Sequence, residues 1–404
     1  MNIIVLLLNI LGLVFLLRYM LQQRKEYLAM EDKRAFFTFK RFRYSILLLL
    51  TIGIPLFLGN IVVPLVFPEP LFAVNANPIT IWWCSLGLAL LISGVWIMYV
   101  QRLDIYEPEQ WGYLLLTFIL SGLSTHYLCP WMYMTLADFG YDLYSDGSML
   151  YSFLYCVLAI GGIEETCKIL PVLAILWIFR KAINEPYDYI LYASVSALGF
   201  AFVENIDYIF FSRMYNISGR ALYAAVAHMT FTSTFFYGLM LWRFGFTRLK
   251  LYWVTPLFFI LSIGSHGFYD FWLLNDWVSE YKEMTTVFFL ITVHLWVTMK
   301  NNTINASNFY TNDISINNDR LRYYLIISLT GLVMLGYLIV AIGDGPALAN
   351  SYLFYEVLAY GYLIFYLAFG LSRYRIAQGE MNPFQVPFDF FVPRPAPPAQ
   401  EEED

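Results

Sequence analysis

Hydrophobic residues occur in long blocks along nearly the whole chain, and short polar stretches separate these blocks. A helix that crosses the hydrocarbon core of a membrane needs about 20 apolar residues at about 1.5 Å of rise each. Eleven blocks approach or exceed that length, and they cover residues 3–20, 44–66, 80–100, 111–136, 151–179, 188–212, 221–246, 251–275, 283–299, 322–342 and 350–371. The pattern therefore predicts an all-α polytopic membrane protein with about 11 transmembrane helices, in which a core bundle carries the functional site.

Composition supports this prediction and excludes several classes of protein. Hydrophobic residues make up 59% and charged residues 13% of the 404 positions, whereas soluble domains carry about 25% charged residues. The net charge of −6, without a stripe of lysine and arginine among exposed aromatics, argues against a nucleic-acid partner. The four cysteines lie in apolar blocks without CxxC spacing, so we expect buried thiols rather than disulfides or a cysteine zinc site.

The distribution of lysine and arginine predicts the orientation of the chain in the membrane. Of the 24 basic residues, 20 lie in alternate loops on one side of the predicted spans. Arg213, Arg220 and Lys282 lie on the other side, and Lys168 lies inside a span. Because basic loops are retained in the cytoplasm, we expect the N-terminus outside and the C-terminus in the cytoplasm.

Four regions are expected along the chain. Residues 1–100 form N-terminal transmembrane helices with a basic cytoplasmic loop, residues 101–275 form the core, and residues 276–371 form C-terminal transmembrane helices. Residues 372–404 are rich in proline and end in EEED, a composition too polar to pack. We therefore expect a disordered, acidic cytoplasmic tail.

Ionisable side chains cluster in four consecutive predicted spans. They are Glu164, Glu165 and Lys168 in the fifth span, Glu204 with Asn205 in the sixth, His228 in the seventh, and His266 with Asp270 in the eighth. Each ionisable group costs about 2.5–3.5 kcal/mol or more at the centre of a bilayer, so each indicates a functional site. His126 and His294 lie at comparable depths without an acidic neighbour on their helices, and we expect them to be core residues.

Helical spacing brings several of these side chains together. Glu164 and Glu165 lie four and three residues before Lys168, so both carboxylates can approach the ammonium group. One carboxylate can pair with Lys168 while the other faces a substrate as a general base. Asp270 follows His266 by four residues, the spacing at which a carboxylate orients an imidazole. A structural ion pair and a polar seam that joins neighbouring helices are the simpler alternatives.

The ordered set of motifs resembles the PrsW family of intramembrane proteases, which is related to the CAAX-type prenyl-protein proteases. The resemblance covers roughly residues 100 to 272. Its motifs are Asp104-Ile105-Tyr106-Glu107-Pro108-Glu109, Glu164-Glu165-x-x-Lys168, Gly199-Phe200-Ala201-Phe202-Val203-Glu204-Asn205, His228, and His266-Gly267-Phe268-Tyr269-Asp270. This chain departs from the family pattern at Gln110, where proline is frequent, and at Asp270, where asparagine is frequent.

The resemblance implies proteolysis of a membrane-anchored protein within or near the bilayer, with residues 101–275 as the protease core. Glu164 or Glu165 would activate a water, while His228 and His266 would orient that water or stabilise the oxyanion. The full implied set is Glu164, Glu165, Lys168, Glu204, Asn205, His228, His266 and Asp270. Zinc held by His228, His266 and Glu204 is one implied mechanism, and a glutamate base without metal is the other.

In the best-known relatives the substrate is a membrane-bound anti-sigma factor, although the substrate does not transfer with the motif. A site-1-type cleavage in the inner membrane of a bacterium is the expectation for this chain. Two other classes of function fit the same residues. In a proton- or ion-coupled transporter, Glu, Lys and His would form a relay. In a non-catalytic scaffold, they would only bind single-span partner proteins. Cleavage of a tagged single-span protein separates the first hypothesis from the other two.

Overall fold

The computed structural model describes residues 39–69, 71, 77–143, 148–179, 182–311, 317–373 and 378–382, together with residues 14, 18 and 21. The predicted span 3–20 lies almost entirely outside these residues. The same holds for most of the predicted basic loop before residue 39 and for the proline-rich tail from residue 383 onward.

Ten long helices are found in the described residues, and they account for the fold. Their bounds are α1 from Phe39 to Val66, α2 Pro78–Gln101, α3 Trp111–Asp138, α4 from Met149 to Ile178, α5 Pro186–Phe211, α6 Ile217–Arg243, α7 Leu251–Leu274, α8 Glu283–Asn305, α9 Asn318–Asp344 and α10 Pro346–Leu371. Each of them overlaps one of the predicted spans, which confirms an all-helical protein in the described part of the chain.

Eight of these helices are long and apolar enough to cross a membrane. The other two, α4 and α8, coincide with the predicted spans 151–179 and 283–299, but they are more polar. In α4 the polarity comes from Glu164, Glu165 and Lys168, the charged residues of the predicted site. The structure therefore supports a polytopic membrane protein, while the number of 11 spans stays a prediction.

The ends of the helices follow from local sequence. Pro78, Pro186 and Pro346 occupy the first turns of α2, α5 and α10, where a missing N–H has no consequence. Asn77 caps α2 by accepting the N–H of Ile79. Gly345 separates α9 from α10 with a φ of 90°, a conformation that residues with a Cβ rarely adopt.

Four of the helices contain one π-helical turn each, in which the hydrogen bonds span one residue more than in an α-helix. These turns are Leu58–Val62 in α1, Ser124–Leu128 in α3, Tyr155–Gly161 in α4 and Arg220–Ala224 in α6. Such turns are rare and are frequently found at functional sites. The last two lie directly before the segments that carry Glu164 and His228.

Helices α5 and α6 form the centre of the bundle. Within the most apolar 18-residue segment of each helix, 78% of the residues in α5 and 83% of those in α6 are buried, compared with 11% in α1. Helix α5 packs against α2, α3 and α6, and α7 packs against both α6 and the π-helical turn of α4. Helices α9 and α10 form a pair beside α1. The two helices that carry Glu204, Asn205 and His228 are therefore mostly buried inside the protein.

Among the described residues, Arg102, Lys300 and Arg373 of the predicted cytoplasmic side lie at one end of the bundle. The guanidinium of Arg102 stacks on Tyr324 at 3.8 Å, and Lys300 Nζ donates to the carbonyl oxygen of Arg373 at 2.9 Å. At the other end, Tyr215 donates to Asp344 at 3.0 Å. This arrangement agrees with the alternation that the positive charges predicted, and the orientation relative to the cytoplasm remains a prediction.

Candidate active site

The eight predicted site residues come from α4, α5, α6 and α7, and the structure brings them into one connected cluster. Glu164, Glu165, Lys168, Asn205, His228 and His266 are buried, whereas Glu204 and Asp270 are partly exposed. Every member except Asn205 is within 3.5 Å of another member. Asn205 joins the cluster through Arg220, as described below.

Glu165 is the most completely bonded carboxylate of the cluster. Its Oε1 lies 2.8 Å from Lys168 Nζ and 2.8 Å from His266 Nδ1. Its Oε2 accepts the hydroxyl of Thr232 at 2.8 Å and that of Ser262 at 3.2 Å. The side chain has no exposed surface. Because four donors hold it, Glu165 has little capacity left to accept a proton or bind a substrate.

Glu164 is the neighbouring carboxylate, and its contacts are longer. Its Oε2 lies 3.5 Å from Lys168 Nζ and 3.4 Å from His266 Nε2, and Tyr133 donates to its Oε1 at 3.3 Å. The side chain is 11% exposed, in contrast to 0% for Glu165. Glu164 is therefore the carboxylate of this pair that can meet a water molecule or a substrate.

Lys168 lies at the centre of the cluster and fixes the state of one histidine. Its Nζ is 2.9 Å from His228 Nδ1, and an ammonium group can only donate. His228 Nδ1 is thus an acceptor, and the ring's Nε2–H donates to Glu204 Oε2 at 3.0 Å. The ring of Phe200, 4.0 Å below Nζ, adds a cation–π contact.

Arg220 of α6 contacts both predicted site residues of α5, Glu204 and Asn205. Its guanidinium donates from Nη2 to Glu204 Oε2 and from Nε to Asn205 Oδ1, and it stacks over Tyr208 at 4.3 Å. Because a guanidinium can only donate, the atom that it contacts is the amide oxygen of Asn205, and the other end of the amide is the Nδ2 donor. Nδ2 of Asn205 is buried and has no hydrogen-bond partner.

His266 lies between three carboxylates. Its Nδ1 donates to Glu165, and its Nε2 faces Asp270 Oδ2 at 3.2 Å as well as Glu164. Phe231 stacks on the ring at 5.2 Å between centroids. A carboxylate at position 270 therefore contacts the nitrogen that faces Glu164, where the family pattern often has a neutral amide.

Two glycines allow α4 and α7 to approach closely at this cluster. A Cβ atom on Gly267 would overlap the main chain of Cys156 and Val157, and one on Gly161 would lie 2.5 Å from the carbonyl oxygen of Ile263. Gly161 precedes Glu164 by one helical turn, and Gly267 follows His266 directly. The contact between Glu164 and His266 depends on this close packing.

A family profile described as "PrsW family intramembrane metalloprotease" matches residues 109–299, a region that contains the entire cluster. Over this region the chain is similar to the PrsW family of intramembrane proteases. The Protease PrsW of Geobacillus kaustophilus (strain HTA426) is 29% identical over 191 residues, which are 46% of this chain and 76% of that protein. The Protease PrsW of Clostridioides difficile (strain 630) is 30% identical over 141 residues, 34% of this chain and 57% of that protein. No solved structure matches the chain.

The PrsW match begins at Glu109 and ends within α8. Helices α1, α2, α9 and α10 lie outside it, as does most of the Asp104 to Glu109 motif. The predicted domain boundaries at residues 100, 275 and 371 remain predictions. The resemblance to the PrsW family, predicted from the motifs alone, is confirmed.

Four residues that hold the cluster together were not predicted from the sequence. Arg220 was assigned to an outer loop, and Thr232, Ser262 and Tyr133 were given no role. Ser262 lies four residues before His266, so helical spacing could have identified it. No sequence pattern indicated Tyr133, because α3 reaches Glu164 only through tertiary packing.

The two histidines that were set aside lie outside the cluster. His126 is exposed in the π-helical turn of α3, next to Tyr127, so its predicted place in the core is wrong. A π-helical turn displaces the residues that follow it around the helix axis, which regular helical spacing does not anticipate. His294 is partly buried in α8.

The description of the PrsW family implies a metal, and the chemistry of the cluster fits one. Glu164, His228 and His266 each offer one donor atom within 4.8 Å of the others. The ring nitrogens that Glu204 and Glu165 do not engage are His228 Nδ1 and His266 Nε2. His228 Nδ1 accepts a hydrogen bond from Lys168 at 2.9 Å, so a metal ion at this nitrogen would displace the Lys168 contact. A carboxylate on the opposite nitrogen is typical of metal-binding histidines.

The third donor differs from the sequence hypothesis, which named Glu204. In the structure Glu204 contacts His228 Nε2 and Arg220, so it orients a ligand and Glu164 takes its place in the donor set. The charges agree with a cation at this position. Four carboxylates face two permanent cations, Lys168 and Arg220, which leaves an excess of negative charge for a metal ion or protons to balance.

Proposed function

We propose that the chain hydrolyses a peptide bond of a membrane-anchored protein at the cluster around Glu164. The observation that carries this proposal is the position of Glu164. It is the one carboxylate of the Glu164–Glu165 pair with exposed surface, and it lies beside two imidazoles in a buried centre. A region that matches the PrsW proteases supplies all of these side chains.

Without a metal ion, Glu164 is the general base of the proposed reaction. It accepts a proton from a water molecule while the water oxygen forms a bond to the carbonyl carbon of the substrate. The same proton then passes to the amide nitrogen as the carbon–nitrogen bond breaks. The products are a new carboxylate and a new amine, and no other reactant is needed.

Asn205 is the proposed donor to the carbonyl oxygen of the substrate. Its Nδ2 is buried without a partner, a costly arrangement unless a bound molecule accepts the hydrogen bond. Arg220 holds the amide in the orientation that presents Nδ2. A fixed donor of this kind stabilises the negative charge that develops on the oxygen during attack.

Glu204 and Glu165 act as positioning residues, because each engages one nitrogen of His228 or His266. If the chain binds zinc, Glu164, His228 and His266 would hold it, and the ion would supply Lewis-acid activation of water and carbonyl. Glu164 would then be a ligand. Both mechanisms require the same three side chains in different roles.

The proposed substrate reaches the cluster from its partly exposed side. Glu204 and Asp270 have side chains that are 21% and 17% exposed, whereas Glu165 and Lys168 have none. A segment of a single-span protein that unwinds locally could present its backbone there. An anti-sigma factor, the substrate that the family resemblance implies, remains a prediction.

The experiment that tests this proposal measures cleavage of a tagged single-span protein by the purified chain in liposomes. Glu164→Gln and His228→Ala are compared separately with the wild-type protein. We expect both variants to lose cleavage and to retain substrate binding. Persistent cleavage in both variants would refute the site assignment. Proton uptake into liposomes without any cleavage would favour the transporter hypothesis instead.

Metal content distinguishes the two mechanisms. The purified chain is analysed for bound zinc, and cleavage is measured before and after treatment with a chelator. About one zinc ion per chain, with activity that chelation removes and zinc restores, assigns Glu164 as a ligand. Activity that is unaffected in metal-free protein assigns Glu164 as the general base.

A further inference from the structure

A second group of buried acidic residues lies far from the proposed active site. Asp104 belongs to the loop between α2 and α3, Glu185 is the N-cap of α5, and Asp188 lies in the first turn of α5. All three are almost completely buried, with exposed fractions of 4%, 1% and 0%. Asp188 and Glu204 are 16 positions apart on α5, about 24 Å along a helix.

The three carboxylates converge on one point. Each carboxylate contributes one oxygen to a set of three, and these three oxygens all lie within 4.8 Å of one another. Ca²⁺ and Mg²⁺ bind carboxylate oxygens at about 2.0–2.6 Å, so oxygens around one ion lie at most about 4–5 Å apart. The spacing of the three oxygens is therefore compatible with a single ion.

Hydrogen bonds with the protein use part of this oxygen surface. Glu185 accepts the hydroxyl of Ser307 at Oε2 and the backbone N–H of Asp188. Asp188 Oδ2 accepts the backbone N–H groups of Asn184 and Glu185, both at 2.8 Å. Asp104 Oδ2 accepts the N–H of Glu109 at 2.6 Å. The other oxygen of each aspartate, Oδ1, is buried and has no hydrogen-bond partner.

Two further oxygens beside the aspartates lack donors as well. Glu107 Oε2 and Asn184 Oδ1 are buried and unpartnered, and the Asn184 amide donates to the other oxygen of Glu107 at 3.1 Å. Four acceptor oxygens without donors are thus found in one small region. An acceptor buried without a partner costs about 1–3 kcal/mol, more if it is charged, so their joint presence indicates a missing cation or missing protons.

No basic side chain of the described residues balances the negative charge. None of the ion pairs found within 4.0 Å in the described part of the chain includes Asp104, Glu107, Glu185 or Asp188. Burial and the neighbouring carboxylates raise the pKa of Asp104 to about 8 and that of Glu185 to about 7. The cluster therefore needs a positive partner to stay ionised.

We propose that Asp104, Glu185 and Asp188 bind one divalent cation of the class that prefers oxygen ligands, Ca²⁺ or Mg²⁺. Glu107 and Asn184 supply additional oxygens nearby. The absence of nitrogen and sulfur donors from this group disfavours zinc, in contrast to the Glu164 cluster. The bound ion would join the loop after α2 to the start of α5, the helix that carries Glu204 and Asn205.

Thermal unfolding of the full-length wild-type protein in lipid nanodiscs tests this proposal without relying on activity. Metal is removed with EDTA, the chelator is dialysed away, and MgCl₂ or CaCl₂ is then titrated. We expect the midpoint of unfolding to rise by several degrees and to fall again when the chelator is restored, because an ion that binds only the folded state stabilises it. The ion that acts at the lower concentration is the preferred ligand.

Three variants assign the ion to this group. Asp104→Asn and Asp188→Asn keep an oxygen for the backbone N–H groups but remove the charge, so we expect the metal-dependent shift to disappear. Asp319→Asn, at a side chain that is 58% exposed, is the matched control and keeps the shift. Glu164→Gln also keeps it, which separates this ion from any metal at the proposed active site.

Elemental analysis of wild-type protein equilibrated with millimolar MgCl₂ or CaCl₂ tests whether the chain binds the ion even if the variants fail to fold. About one bound ion per chain, retained in Glu164→Gln, supports the proposal. Wild-type protein that shows neither a bound ion nor a shift overturns it, and protons then neutralise the cluster. A shift that persists in both Asp104→Asn and Asp188→Asn also contradicts the assignment.

Discussion

Glu164 and Glu165 are adjacent in sequence, yet their surroundings give them different roles. They project about 100° apart on α4, so each meets different neighbours. Glu165 is bonded by four side chains from three helices, including Thr232 of α6 and Ser262 of α7. Glu164 keeps three longer contacts and some exposed surface. The sequence pattern left open which of the two is the base, and this difference favours Glu164.

Replacing each glutamate with glutamine should therefore produce different losses. We expect Glu164→Gln to reduce cleavage by about 100-fold or more with little change in stability, the typical cost of losing a general base. Glu165→Gln leaves the Lys168 ammonium without its closest carboxylate and should lower the free energy of unfolding by about 3–5 kcal/mol. Cleavage assays and thermal unfolding in nanodiscs measure the two effects.

Asp138→Asn, at an exposed position at the end of α3, is the control and should leave both quantities unchanged. Full cleavage by Glu164→Gln would remove Glu164 from the mechanism. An unfolding temperature of Glu165→Gln equal to that of the wild-type protein would contradict the positioning role.

Asn205 allows a separate test of oxyanion stabilisation. Asn205→Asp keeps an acceptor for Arg220 and removes the unpartnered Nδ2 donor. We expect kcat to fall by about 100- to 1,000-fold, the usual effect of losing one such donor, with a small change in KM. Thermal unfolding is measured in parallel, because the new carboxylate adds to the negative charge of the cluster. A loss confined to KM or to folding would show that Asn205 has only a structural role.

At the scale of helices, close packing between α4 and α7 sets the distance between Glu164 and His266. Glycines at 161 and 267 remove the side chains that would otherwise separate the two helices. Glycine is unfavourable in a helix by about 1 kcal/mol relative to alanine, so the tight contact outweighs that cost. Gly267 lies in a motif identified from the sequence, but no helix contact was predicted for either glycine.

Alanine substitutions with matched controls test this contact. Gly267→Ala and Gly161→Ala should each reduce cleavage and lower the free energy of unfolding by about 1–3 kcal/mol, because the new methyl group collides with main chain. Gly264 and Gly162 lie on the same two helices, and a Cβ there meets nothing within 4 Å. Gly264→Ala and Gly162→Ala should be neutral or slightly stabilising. Equal effects in both pairs would contradict the proposed packing role.

The π-helical turns affect which side chains face the cluster around Glu164. The turn at Arg220–Ala224 brings Arg220 toward Glu204 and Asn205, whereas its position in the sequence indicated a surface loop. Beyond each turn the helix is regular again. Glu164 and Lys168 lie beyond the turn of α4, and α7 is regular from Leu251 to Leu274, so helical spacing correctly predicted the contacts Glu164–Lys168 and His266–Asp270.

At the scale of the whole molecule, the arrangement of the loops predicts which end faces the cytoplasm. Tyr141 follows α3 at one end of the bundle, and Glu380 lies after α10 at the end where the basic loops meet. Both positions are exposed. By the positive-inside rule, we expect Glu380 in the cytoplasm and Tyr141 outside.

Labelling with a membrane-impermeant maleimide measures this orientation in intact bacterial cells. Tyr141→Cys should react without permeabilisation, and Glu380→Cys should react only after it. The unmodified protein, whose Cys129, Cys156 and Cys167 are buried and whose Cys84 is partly buried, provides the background. The opposite labelling pattern would reverse the proposed orientation.

Helix positions and the family were accessible from the residue pattern alone, because both depend on local information. A stretch of about 20 apolar residues must form a helix in lipid, since no water is there to bond the backbone. The EExxK, FxxxEN and HxxxD spacings are local as well. They named seven of the eight predicted site residues, and His228 was named by its position inside an apolar span. Together these residues indicated a resemblance to the PrsW family before any contact was known.

Tertiary packing decided the roles within that set. Contacts between residues far apart along the chain determine the partners of Glu165, Arg220 and Tyr133. Contacts of the same kind place Glu164, in place of Glu204, in the candidate donor set with the two histidines. Hydropathy and spacing describe one helix at a time, whereas a side chain's neighbours depend on how several helices rotate and approach. The convergence of Asp104 on Glu185 and Asp188 follows from the same cause, because it requires two loops to meet at one end of the bundle.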